Sequence, residues 1–442
     1  MKHLDRQILN LALPSIVSNI TVPLLGLCDV AIMGHVGGAS HIGAIAVGSM
    51  IFNVMYWLFG FLRMGTSGLT SQALGARRLK DAAVMLRRSL LVALAAGLAI
   101  VILQWPLQQL TFFLMQPTDD VYALCIPYYY ICIWGAPAVL GLYALTGWYI
   151  GMQNTRIPML IAIGQNIVNI GASIFLVMGL GMGVTGVALG TVIAQWVGFL
   201  ASLLLLRRYY GKLLHRHVVR WVQIRQGLGH FFRLNTDIFL RTVCLVSVNL
   251  YFTSAGAAQG ALILAANTLL MQFFMFYSFV MDGFAFAAEA LSGRYYGGSN
   301  LPMLRQTIIH IFRWGVTVAL VFTLVYWLGG TPFLSLLTND DAVVATAIDY
   351  LPWAVLVPFC GLAAFVWDGV FIGITASRPM FLSCLMAASA FFAIHLGVIR
   401  FYPSPSANHI LWLAFLTYLV LRGGVLTIAY HRRKYASYEN SF

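Results

Sequence analysis

The sequence predicts an all-α polytopic membrane protein with twelve transmembrane helices in two pseudo-symmetric six-helix lobes. Three observations predict it: an apolar composition, a recurrence of span-length segments, and a repeat between the two halves of the chain. Of 442 residues, 60% are hydrophobic and 9% charged, against roughly a quarter charged in an ordinary soluble domain. A soluble fold has no interior large enough for that much apolar surface. Stretches of about 20 apolar residues cross a bilayer as helices, and here they follow one another with short polar joints.

Spans are expected at Leu9–Met33, Ile42–Gln72, Ala83–Trp105, Val121–Gly151, Pro158–Leu180, Gly183–Leu206, Leu234–Thr253, Leu262–Leu291, Ile308–Leu328, Ala347–Ile374, Met380–Ile399 and Ile410–Tyr430. The first lacks a small-residue cleavage site behind it and is expected to be retained. Joints following odd-numbered spans contain a single Lys or Arg, Arg400, whereas Arg77, Arg78, Lys80, Arg87, Arg88 and the terminal Arg432, Arg433 and Lys434 lie on the other side. By the positive-inside rule both termini are cytoplasmic. The same asymmetry explains the net charge of +13 as a topology signal and argues against a nucleic-acid partner.

Residues 1–206 are expected to form an N-lobe of helices 1–6, 207–233 a basic cytoplasmic linker and 234–442 a C-lobe of helices 7–12. The linker interleaves Arg207, Arg208, Lys212, Arg216, Arg220 and Arg225 with Leu, Val and Trp221, a pattern suited to an anionic membrane surface. The lobes repeat one another. Ser71-Gln-Ala-Leu-Gly-Ala-Arg77 precedes Ala288-Glu-Ala-Leu-Ser-Gly-Arg294 by 217 residues, Asp119-Asp120 precedes Asp340-Asp341 by 221, and Gly147-x-x-Ile-Gly151 precedes Gly369-x-x-Ile-Gly373 by 222. Six spans per copy make the repeats parallel, with a cavity between two lobes, an arrangement that points to a transporter. A channel filter sequence is not visible.

Ionisable residues inside spans are costly and therefore mark function. Asp29 lies deep in the first span with no Lys or Arg within a turn or two, and a carboxyl in that setting is a candidate for proton uptake and release. Asn166, Asn169 and Ser173, at i, i+3 and i+7, share one face of the fifth span. Thr191 on the sixth reaches the same layer across the Gly179–Gly183 turn. This polar face serves either as interhelical glue or as a site. Pro14 and Pro23 interrupt the first span, and Pro14 is the expected bend. In the second lobe Asp282, Glu289 and Asp368 are candidates for structural or gate roles, while Asp237 and Arg241, four apart, are expected to neutralise each other. The run Met271–Tyr277 is expected to pack or to line a pliable pocket.

The chemistry of other classes is missing from the pattern. Six cysteines without a C-x-x-C pair predict neither disulfides nor a metal site, ten histidines form no paired metal motif, and there is no phosphate-binding glycine loop. With no nucleophile–base pair either, an enzyme is not expected, and no cofactor.

Leu11-Ala-Leu-Pro14, Ser18 through Asp29, Asn169-Ile170, Gly181 through Ala188 with Thr191, and Asp282 through Glu289 together resemble the multidrug and toxic compound extrusion (MATE) family, specifically its DNA-damage-inducible F branch. The resemblance runs over nearly the whole chain. It implies a monomer in the cell inner membrane that exports structurally varied, often cationic organic compounds in exchange for protons or sodium ions. By the same resemblance Asp29 matches the coupling carboxylate, Asn169 and Thr191 its polar neighbours and Pro14 the bending proline. Ser173 stands where members of the branch often carry a second aspartate, and Leu25 where some carry a tyrosine. A hard cation prefers several oxygen ligands including charge, so proton coupling is expected ahead of sodium. Flipping of lipid-linked intermediates is the alternative in related folds. It needs a basic cavity, for which Arg63 and Arg241 are the expected cations.

Overall fold

A computed structural model of the chain describes residues 2–36, 39–116, 118–217, 219–338, 340–401 and 407–439, all helices and short turns without a strand. Leu25 belongs to a helix, but its side chain lies outside the described residues. The helices are α1 Lys2–Val36, α2 Ala39–Leu58, α3 Phe61–Gly75, α4 Leu79–Ile102, α5 Gln104–Met115, α6 Asp119–Cys132, α7 Ala136–Gly151 and α8 Arg156–Ile174. They continue with α9 Gly183–Arg216, α10 Trp221–Gln226, α11 Leu228–Ala258, α12 Ala261–Gly297, α13 Leu301–Leu337, α14 Asp341–Gly373, α15 Ser377–Phe401 and α16 Ala407–Glu439. Eleven spans among the described residues are long and apolar enough to cross a bilayer, α2 with α3 and α6 with α7 each counting as one. The more polar α1 is the remaining long helix and carries Pro14 and Pro23 without a break.

Helix reaches further than the expected spans. The basic segment after Leu206 remains helical to Arg216, so the linker proper shrinks to a short connection holding α10. Basic residues in a last helical turn are favoured by the helix dipole, and Arg207–Arg216 contains no proline to stop it. The joint 106–120 likewise holds most of α5, and 329–346 is largely taken up by the ends of α13 and α14.

Two compact units emerge. One comprises Leu13–Asn235 with Gly297–Ser299; the other comprises Met1–Ala12, Thr236–Tyr296 and Asn300–Phe442. The change of unit within α1 falls between Ala12 and Leu13, one residue before Pro14. The same pairings recur inside each: α8 packs on α9 and α4 on α7 in the first, α15 on α16 and α13 on α14 in the second. The repeated glycine motif has one use in both. A Cβ on Gly147 would sit 2.3 Å from the Arg63 carbonyl oxygen, and one on Gly369 would sit 2.3 Å from the Ala285 carbonyl oxygen. Only glycine lets these helices cross at backbone contact. Within the first unit, Phe52, Tyr56, Tyr128 and Tyr129 form an aromatic core beside Ile45 and Ile133.

Candidate functional site

The first unit gathers its polar groups by a tight return between α8 and α9. After Ile174 the chain makes a wide helical turn, Phe175–Gly179, and reverses through Gly181 and Gly183, whose left-handed φ angles of +66° and +56° glycine adopts at no steric cost. The reversal lays α9 antiparallel on α8 and brings Asn169 opposite Thr191. The Asn169 amide Nδ2 donates to Thr191 Oγ1 at 3.1 Å, and Thr191 in turn donates to the Val187 carbonyl at 3.0 Å. One turn earlier, Asn166 Nδ2 donates to the Thr21 carbonyl of α1 at 2.8 Å. Thr21 lies two residues before Pro23, so α8 grips the first helix where proline weakens its own ladder.

Asp29 is 4% exposed, and Asn169 and Ser173 are fully buried. The Ser173 hydroxyl faces the Asp29 carboxyl without closing a hydrogen bond of ordinary geometry. In this layer Asp29 Oδ1, Asn169 Oδ1 and Ser173 Oγ therefore all lack a hydrogen-bond partner among the described residues. Each orphaned buried polar atom costs about 1–3 kcal/mol, a cost that a mobile proton, ion or water would relieve. Tyr128 and Cys132 of α6 lie within electrostatic reach of Asp29, and the Tyr128 hydroxyl meets Ser49 Oγ at 3.2 Å. These three were not foreseen. Uncharged residues in an apolar span carry no signal that a carboxyl will be folded against them.

The second unit houses its acids differently. Asp368, 7% exposed, is held through one oxygen by Arg241 of α11 and by Arg422 of α16, the latter at 2.5 Å. The expected pairing of Asp237 with Arg241 is not formed. Asp237 accepts from Ser377 Oγ at 2.8 Å and faces Arg378 at 3.6 Å, both on α15, while Arg241 is taken by Asp368 of α14. Arg422 also corrects the expectation of only two interior cations. It is 5% exposed and sits inside an apolar run, where an arginine is itself a signal. Glu289 is buried at 1%, and Asp282 Oδ2 receives Ser278 Oγ at 3.5 Å. Asn267 and Asn408 exchange hydrogen bonds of 2.7 and 3.0 Å, with Trp412 donating to Asn267 at 2.9 Å. Of the aromatic run, Phe273 and Tyr277 are fully buried. They pack with Tyr326 and Phe365.

Comparison with known proteins accords with this architecture. Four-fifths or more of the chain aligns with several curated proteins. It is 38% identical to DNA damage-inducible protein F of Escherichia coli (strain K12), over 97% of this chain and 92% of the relative. With a probable multidrug resistance protein NorM of Acinetobacter baylyi it shares 24% over 79% of this chain and 78% of the relative. A MATE crystal structure in the bent conformation superposes with a TM-score of 0.90 at 18% identity, covering 99% of this chain and 97% of that one. The straight conformation gives 0.85, also at 18%, covering 98% and 96%. At those identities the structures speak for the fold alone. The family model for MatE matches twice, at residues 14–175 and 238–399, in agreement with the internal repeat. On that double match and the near-full-length relative, the chain belongs to the MatE family of multidrug and toxin extrusion transporters.

Proposed function

We propose that the protein is a proton-coupled antiporter that exports structurally diverse, often cationic organic compounds across the cell inner membrane, as a monomer with both termini in the cytoplasm. The observation that carries this reading is the isolation of Asp29, a buried carboxyl with an orphaned oxygen and, among the described residues, no guanidinium or ammonium acting on it. An unpaired buried carboxylate is costly while the neutral acid is tolerated, so loading and releasing a proton there changes which arrangement of α1 and α8 is favoured. Pro14 supplies the bend, and Asn166, Asn169, Ser173 and Thr191 hold the layer together. Asp282, Glu289 and Asp368 serve the second lobe as structural or gating groups, with 207–233 as the division between lobes. The relative named a multidrug resistance protein supports export of varied compounds.

A sodium-driven cycle is the second reading. The orphaned oxygens of Asn169 and Ser173 beside one carboxyl favour it, and the absence of a second carboxylate weighs against it, since a hard cation prefers more charge.

Proteoliposomes given proton and sodium gradients separately decide between them. Export of a fluorescent organic cation is expected with the proton gradient alone and is expected to vanish in Asp29→Asn at normal abundance. Transport driven only by sodium, or persisting in Asp29→Asn, overturns the reading. A reporter fused at Tyr435 or within Lys212–Arg225 is expected to report a cytoplasmic location, and a periplasmic signal inverts the topology.

A further inference from the structure

The second unit carries a groove of about 650 Å³ between α13, α14 and α16. Arg305 and Arg313 line it from α13, both exposed, and no acidic residue takes part in the lining. Ile309 and Val316 form an apolar wall on the same helix, 42% and 41% exposed. Trp367 and Tyr430 make the floor with ring centroids 4.7 Å apart, and Trp367 is fixed by donating to Thr427 Oγ1 at 2.7 Å.

Depth sorts these groups. Helix α13 has 37 residues, about 55 Å at 1.5 Å per residue, well beyond the roughly 30 Å of a hydrocarbon core. Arg305, in its second turn, therefore stands at headgroup level. Arg313 lies about 12 Å deeper, where an arginine reaches outward along its stem to a polar partner. Neither has a carboxylate partner among the described residues.

The internal repeat says what kind of partner is missing. Met85-Leu86-Arg87-Arg88-Ser89 precedes Met303-Leu304-Arg305-Gln306-Thr307 by 218 residues, which makes Arg87 the counterpart of Arg305. In the first unit Arg87 donates to the Val219 carbonyl at 3.2 Å, in the segment that leads into α10. In the second unit no described segment covers Arg305, whose guanidinium is left to find acceptor oxygens from outside the chain.

We propose that this groove binds one anionic glycerophospholipid, its phosphate held by Arg305 and Arg313 and an acyl chain laid along Ile309 and Val316. A soluble phosphate would gain nothing from the apolar wall, whereas a lipid fills both halves of the groove. By the positive-inside orientation the lipid belongs to the cytoplasmic leaflet. The site is separate from Asp29 and does not depend on the coupling ion.

Native mass spectrometry of the detergent-purified full chain, with phosphatidylglycerol and phosphatidylcholine of identical acyl chains, tests the proposal. Retention of phosphatidylglycerol is expected to be roughly 30-fold tighter, from the usual contribution of two basic residues near a membrane surface. Arg305→Gln with Arg313→Gln is expected to erase the preference without harming the fold, since both side chains are exposed. Ile309→Trp, which fills the groove and keeps the charge, is expected to lower retention of the bound lipid. Arg216→Gln with Arg225→Gln is expected to leave the preference unchanged. Equal retention of the two lipids by the wild type, or a preference that survives Arg305→Gln with Arg313→Gln, overturns the proposal. So does displacement of phosphatidylglycerol by equimolar glycerol 3-phosphate, which assigns the arginines to a soluble anion.

Discussion

Asp29 and Asp368 are both carboxyls buried among apolar helices, at 4% and 7% exposure, yet their surroundings are opposite. Asp29 faces a hydroxyl that does not bond it and has no cation nearby among the described residues; Asp368 is clamped between two guanidiniums. The first is tolerated by the structure when neutral, and the second is needed as an anion, because removing it would leave two like charges together in an apolar interior. Burial alone therefore does not identify a coupling group. The presence or absence of a counter-charge separates a residue that is free to change its protonation from one that holds helices in place.

Substitution at Asp368 gives the largest expected effect on stability. Asp368→Asn breaks a buried ion cluster while keeping its shape, and is expected to cost about 3–5 kcal/mol, seen as a lower unfolding temperature and reduced abundance in detergent. A variant as stable as the wild type would remove the contrast with Asp29. Gly190→Ala comes next. A Cβ there would lie 2.5 Å from Ser173 Oγ and 2.9 Å from the Ser173 backbone nitrogen, so α8 and α9 must separate, at about 1–3 kcal/mol for overpacking. Combining it with Ser173→Ala relieves only the side-chain clash, and full recovery in thermal unfolding would show that the helices move apart more easily than their packing implies.

Asp29→Asn is expected to change stability by less than about 1 kcal/mol, since a carboxamide replaces an unpaired carboxyl of the same shape. Ser173→Ala is expected to be milder still. Thermal unfolding of both beside Asp368→Asn sharpens the comparison, and a loss at Asp29 equal to that at Asp368 would mark Asp29 as structural.

The smallest effect is expected at the start of α1. Asp5 Oδ1 meets His310 Nδ1 at 2.8 Å and accepts from Trp314 Nε1 at 3.2 Å. The His310 hydrogen bond, opposed by partial burial and aided by Trp314, holds the Asp5 carboxyl below the usual value of 3.8. A lowered carboxyl contributes stability that is fully present above 3.8 and is lost as pH falls through the depressed folded-state value. Amide exchange in residues 2–12 is expected to accelerate only below about pH 4, and the acceleration is expected to be absent in Asp5→Asn. The same acceleration in Asp5→Asn would assign it to other groups.

The fold was largely legible before any coordinates, and so was the placement of the acids within it. Spans could be read because a bilayer forces apolar runs of fixed length, and the repeat because Gly147 and Gly369 must both remain glycine at backbone-contact crossings. Helix ends were less legible. Arg207–Arg216 is polar enough to look like a linker, and only continuation of the backbone ladder made it helix. The i, i+3, i+7 spacing did find Asn166, Asn169 and Ser173, since a helix presents such residues on one face whatever surrounds it.

What the sequence by itself determined is therefore what depends on local period and on the membrane as solvent: the number of spans, their orientation signal, the two-lobe repeat and the shared face of α8. Pairing between distant residues was decided by tertiary structure alone. Asp237 turned to Ser377 and Arg378, and Asp368 recruited Arg241 and Arg422 from two other helices. Tyr128 and Cys132 came within electrostatic reach of Asp29, with Ser49 hydrogen-bonded to Tyr128. The physical reason is that a buried charge or hydroxyl is satisfied by whichever partner the packing brings within about 3 Å, and that proximity comes from helix crossings rather than from spacing along the chain.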